Sequence, residues 1–132
     1  LAVLTLMGVK VNLLNYLIMY LGFIVFAMAV TYLAAGISYL VTWVWGIRVM
    51  FNLMYTVFGG IFVPLDILPP AYLSFLDLLP FAHLGYHLVL ASFGLEDPVP
   101  SLFVLLAWSV LFFAVGYPFH VIGRRRFESQ GE

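Results

Sequence analysis

The stretch FGGIFVPLDILPPAYLSFLDLLPF, residues 58–81, decides how this chain folds. Pro64, Pro69, Pro70 and Pro80 each fix φ and remove a backbone donor, so no single straight helix runs through them. The pieces between the prolines carry Ile, Leu, Phe and Tyr, a composition too apolar for a water-exposed linker. A short, broken helical hairpin that dips into a membrane over residues 64–94 satisfies both constraints.

Composition supports a membrane setting. The chain has 132 residues, of which 65% are hydrophobic and 8% charged, and its mean hydropathy is +1.14. A soluble domain of ~150 residues buries only about 70% of its chain surface and could not hide so much apolar area. The expected class is therefore all-α integral membrane, a polytopic helical bundle. The net charge of -1 and the lack of a basic patch give no sign of nucleic-acid binding. With no cysteine, disulfides and thiol ligands are excluded. The chain begins at Leu1 without an initiator Met, and its first nine residues already read as part of a membrane helix, which suggests a fragment or a processed chain.

Three spans flank the hairpin. No charged side chain lies between Lys10 and Arg48, a gap of about 37 residues or ~55 Å of helix, which exceeds the ~30 Å hydrocarbon thickness. One tilted helix over residues 16–44 is the preferred reading, with Asn12 and Asn15 marking its polar start. Ala27, Thr31, Ala34 and Ser38 fall on one face of it, as a close helix approach in lipid requires. Trp43, Trp45, Gly46 and Arg48 read as an interfacial turn. The next span, residues 47–63, carries Asn52, Thr56 and Gly60 at i, i+4, i+8, with Tyr55 beside them. A bilayer amide has to face protein or water, so these four residues are the candidates for a pathway or a dimer seam. After the hairpin, a helix over residues 81–93 ends at Gly94, and Asp97 caps a last span over residues 101–122.

Charge bias sets the orientation. Arg124, Arg125 and Arg126 end the last span, and the positive-inside rule puts them on the cytoplasmic side. Arg48 joins them as a cytoplasmic anchor only if the hairpin between the last two spans returns where it entered. Glu96 and Asp97 then lie outside, and Lys10 is the one dissenting cation.

Chemistry-bearing residues are sparse. Pro70, Ser74 and Asp77 share one face of a short amphipathic helix, and Asp66 reads as a cap or an interfacial carboxylate. His83 and His87 stand at i, i+4, a spacing that can share a metal, but the glutamate of an HExxH motif is absent and His120 should lie near the other membrane face. Interfacial hydrogen bonding, with Tyr86 alongside, is the preferred role. Neither a nucleophile elbow nor a phosphate loop is present, so no catalytic, cofactor or metal residue is assigned. Gly59 and Gly60 read as a closely packed point near a helix end.

The elements Gly60, Pro64, Leu65 and Pro69, then Leu79, Pro80 and Phe81, then Arg124, Arg125, Arg126 and Gly131 resemble the C-terminal half of ABC-2-type transporter permeases, over residues 16–131. More narrowly, the chain looks like a bacterial branch in which a G-x-x-x-P-L-x-x-x-P run precedes an L-P-F break and the chain ends in basic residues and a glycine. The resemblance implies a single transmembrane domain over residues 1–132, the C-terminal half of a six-span permease in a bacterial cytoplasmic membrane with its C-terminus inside. It further implies a second permease subunit, as homo- or heterodimer, and cytoplasmic P-loop ATPase subunits that carry ATP and Mg. On this view the chain itself binds no cofactor and hydrolyses nothing. Together with that ATPase it exports a lipid-like, glycan or drug-like substrate and contacts membrane lipid. The alternatives are a polytopic membrane enzyme with a His83/His87 metal site and a non-catalytic assembly subunit.

Overall fold

The computed structural model describes residues 7–8 and 10–131, the side chain of Gln130 excepted. The helix expected over the first nine residues lies outside them, apart from Met7 and Gly8, which form a turn. Six helices follow in order: α1 Leu13–Ser38, α2 Val44–Phe58, α3 Pro70–Leu76, α4 Pro80–Leu84, α5 Tyr86–Ser92 and α6 Pro98–Gln130, with a 3₁₀ turn at Leu65–Ile67 between α2 and α3. No strand occurs among the described residues. The architecture is that of a polytopic helical membrane protein.

Helices α1 and α6 are both long and apolar enough to cross a bilayer. They form a parallel pair, start beside start and end beside end, that holds the molecule together. The buried residues of α1 are Met19, Gly22, Phe26, Ala29, Leu33 and Gly36, spaced alternately by three and four so that they form one stripe. Gly22 packs under Leu102 and Leu105, and Gly36 lies against Phe119, His120 and the Gly116 carbonyl. A Cβ on Gly123 would stand 2.4 Å from the Tyr39 Cβ, so the close approach there depends on glycine. The small-residue face expected to carry this contact, Ala27, Thr31, Ala34 and Ser38, points elsewhere: it lines an open cleft toward α2. Larger residues alternating with glycine make the tight seam instead.

Several boundaries differ from those read in the sequence. Helix α1 stops at Ser38 instead of running to residue 44, because the Tyr39 ring packs edge-on against His120 of α6, with centroids 5.7 Å apart. The N–H groups of Leu40 and Val41 close onto the Ile37 carbonyl, and the chain turns there. Trp43 then caps α2 and Gly46 lies inside it, so the turn precedes the tryptophans. Helix α2 ends at Phe58 because Gly60 adopts a left-handed φ of 76°, which takes it off the helical face shared with Asn52 and Thr56. The 15 residues of α2 reach only about 22 Å, short of the ~30 Å hydrocarbon core. Helix α6 runs on through Arg124, Arg125 and Arg126, since a cation interrupts a hydrophobic stretch without interrupting the backbone ladder.

Between α2 and α6 the prolines act as expected. Pro70 and Pro80 each open a helix in its first turn, where the missing N–H costs nothing. Helix α3 meets the α4–α5 segment at 82°. The helix expected over residues 81–93 is divided at Gly85, where it crosses the end of α2: the Tyr86 N–H donates to the Gly59 carbonyl at 2.9 Å. A Cβ on Gly85 would fall 2.1 Å from that same carbonyl oxygen, so only glycine lets the two backbones meet. Gly94, at φ 73°, closes α5, with its own N–H bonded to Ala91 and that of Leu95 to Leu90.

Polar bonds dock this hairpin at one end of the α1–α6 pair. Asn15 Nδ2 donates to the Ala91 carbonyl at 3.1 Å and the Asn12 N–H to that of Ser92 at 2.8 Å. From α6, the Trp108 indole donates to the Leu78 carbonyl at 2.7 Å. The hairpin therefore touches the end of α2, the start of α1 and the start of α6.

Candidate functional site

Two places in the molecule concentrate polar groups among apolar surroundings. The first is the hairpin end. His83, buried on α4, is fully partnered: its Nε2 lies 2.8 Å from the Asp77 carbonyl and its Nδ1 2.8 Å from the Ser101 hydroxyl at the start of α6. A carbonyl only accepts, so Nε2 carries a proton and a neutral ring accepting from Ser101 satisfies every atom. One turn later on α5, His87 stacks on His83, with centroids 4.6 Å apart and an interplanar angle of 20°. Its Nε2 lies 2.8 Å from Asp77 Oδ1 and its Nδ1 2.7 Å from Glu96 Oε2. Beside it the Tyr86 hydroxyl donates to the Asp66 carboxylate in the 3₁₀ turn.

The hairpin's sequence-nominated residues thus divide clearly. Asp66, Asp77, His83 and His87 come together, whereas Pro64, Pro69, Pro70 and Pro80 shape the backbone around them. Asp77 caps the C-terminal end of α3, past the helical face it was expected to share with Pro70 and Ser74. Glu96 and Ser101 complete the cluster and were not singled out from sequence. The signal for Glu96 was the Gly94 cap, which folds the following residues back over α5. As for a shared metal, the two imidazoles lie nearly parallel and each ring nitrogen already faces a protein atom. Their lone pairs therefore converge on no common point, and no metal-holding group of three His, Cys, Asp or Glu occurs among the described residues.

The second place is the cleft between α1 and α2. Its larger lobe holds about 740 Å³ and is lined by Ala27, Thr31, Arg48, Asn52 and Tyr55, with the hairpin's Phe81 and Leu84 closing one end. An adjoining lobe of about 480 Å³ adds Ala34 and Ser38. None of the residues of α2 is buried. Of the four pathway candidates, Asn52 and Tyr55 line this cleft, and Tyr55 also packs against the cluster of Phe26, Leu84 and Leu105. Thr56 turns its hydroxyl onto the Asn52 carbonyl at 2.6 Å, and Gly60 sits in the turn against Tyr86 and Leu65.

The four arginines gather at the end of the bundle away from the hairpin, whereas Lys10 lies at the hairpin end, two residues before Asn12. Arg124, Arg125 and Arg126 are exposed on the last turns of α6, and Arg126 edges a small hollow with Ser38 and Tyr39. Arg48, near the start of α2, is exposed at the cleft. His120 belongs to this half: it lies 19 residues beyond Ser101 on α6, about 28 Å away. There it donates from Nε2 to the Tyr32 carbonyl at 2.8 Å and stacks on the Tyr32 ring.

Two helices able to span a bilayer, with an open polar-flecked cleft between one of them and the shorter α2, fit a membrane-embedded subunit of the permease type. The chain belongs to the family described as ABC-2 family transporter protein, whose family model matches residues 1–131. No curated protein and no solved structure matches it.

Proposed function

We propose that the chain is the permease portion of an ATP-driven exporter, and that the cleft between α1 and α2 belongs to its substrate pathway. The observation that carries the proposal is that cleft: an open, largely apolar space bounded by a helix with no buried residue, with Thr31, Arg48, Asn52 and Tyr55 as polar groups. Energy would come from cytoplasmic P-loop ATPase subunits that bind ATP and Mg, and a second permease subunit would face the exposed side of α2. Family membership supports this division of labour, since ABC-2 membrane subunits generally work with ATPase partners. Residues 64–94 would sit as a re-entrant hairpin on the outer side of a bacterial cytoplasmic membrane. The arginines at the opposite end of the bundle support that orientation.

The test is affinity purification of the full-length permease from its native membrane. Co-purification of a P-loop ATPase in fixed stoichiometry is the expected result; a permease that never carries one would end the proposal. For the pathway, Asn52→Leu is expected to leave assembly intact and to lower transport several-fold. Unchanged transport would remove Asn52 from it.

A further inference from the structure

At the hairpin end the hydrogen-bond donors and acceptors around the two imidazoles do not balance in the same way. A neutral imidazole has one N–H and one lone pair, and an ionised carboxylate only accepts. His83 meets a carbonyl and a hydroxyl, so the neutral ring suits it. His87 meets carboxylate oxygens at both nitrogens, 2.8 Å and 2.7 Å away, and these two contacts require one more proton than a neutral ring and two carboxylates hold. We infer that Asp77, His87 and Glu96 form a proton-operated clasp, in which a shared proton ties the hairpin to the loop that leads into α6.

The contacts around the ring are consistent with this role. His87 is buried, while Asp77 and Glu96 keep half and about a third of their side-chain surface exposed, so a proton has a route in from water. The groups facing the ring are Asp77 from the end of α3, Glu96 from the loop, His83 across the stack and the Tyr86 ring, whose hydroxyl engages Asp66. Helix α1 offers only the amides of Asn12 and Asn15, which bond the α5 carbonyls, and α6 offers Ser101, which is taken by His83. Asp97 is occupied in capping α6 through the Val99 N–H.

The sign follows from the count. With the proton present, the imidazolium donates to both carboxylates, in two charge-assisted bonds. As pH rises and the proton leaves, one N–H remains, and the other nitrogen faces a carboxylate with lone pair against lone pair. The clasp is therefore closed while the shared proton is bound and opens when it leaves, so it closes toward acid and opens toward alkali. It rests on hydrogen-bond chemistry alone and stands whether or not the transport proposal does.

Spin labels at Phe75 on α3 and Leu95 in the loop, both exposed, report the closure directly in the intact permease reconstituted in lipid. Between about pH 5.5 and about pH 9 the distance distribution is expected to move from narrow to broad in one step. Glu96→Gln supplies the missing donor, because its amide N–H₂ can meet Nδ1 of a neutral ring, so the distribution should stay narrow at every pH. His87→Gln should stay broad at every pH. A wild-type protein with no pH step, or a Glu96→Gln protein that keeps the wild-type step, would overturn the clasp.

Discussion

Toward α6, helix α1 presents Met19, Gly22, Phe26, Ala29, Leu33 and Gly36, all buried. Toward α2 it presents Ala27, Thr31, Ala34 and Ser38, which line open space. Both faces carry small residues, yet one closes and the other does not. The difference lies in the partner: α6 places Gly116 and Gly123 where α1 brings Tyr32 and Tyr39, so bulk on one helix meets a gap on the other. Helix α2 offers no matching stripe of glycine, and its Trp45, Arg48 and Phe51 line the open space across from those small residues. A small-residue stripe permits close packing; it does not compel it. The face toward α6 is close-packed, and the face toward α2 is open.

Substitutions at the closed face should have the largest effect. Gly123→Leu sets a Cβ against the stem of Tyr39, which cannot swing aside, and the helix pair has to separate. A loss of about 3 kcal/mol is expected, read as a lower thermal midpoint of the detergent-extracted permease. Gly116→Leu, against Tyr32 and the Leu33 backbone, should follow closely. His120→Phe keeps a ring over Tyr32 but removes its bond to the Tyr32 carbonyl, with an expected cost of about 0.6–1 kcal/mol. At the open face, Thr31→Leu or Ala34→Leu adds apolar bulk to existing space and should change stability by less than about 0.5 kcal/mol while lowering transport. Equal destabilisation on the two faces would break the distinction between them.

The sequence made some of this legible because the relevant signals are local. Four prolines in an apolar stretch dictate short helices, Asp97 and Gly94 mark the ends they cap, and charge-free runs mark the long helices. What escaped depends on partners distant in the chain. Helix α1 stops at Ser38, where Tyr39 packs against His120 of α6, and the nearest breaker, Gly36, lies inside the helix and does not end it. The helix expected over residues 81–93 breaks at Gly85 because α2 crosses there. At the hairpin end, Asp66, Asp77, His83 and His87 could be nominated by residue type. Their grouping with Glu96 and Ser101 could not, since it depends on the fold of the proline-broken segment.

Helix α6 runs from Pro98, beside the hairpin, through the arginines to Gln130, a length of 33 residues or about 50 Å. At that length, a tilt of ~5° about one end would displace the other by roughly 4 Å. Pro118 lies within it, just before His120, and withholds the N–H that the Ala114 carbonyl would otherwise accept. That gives the rod a joint near its arginine end. Force applied to Arg124, Arg125 and Arg126 would flex the arm at Pro118 before it turns the long segment whose far end carries the hairpin.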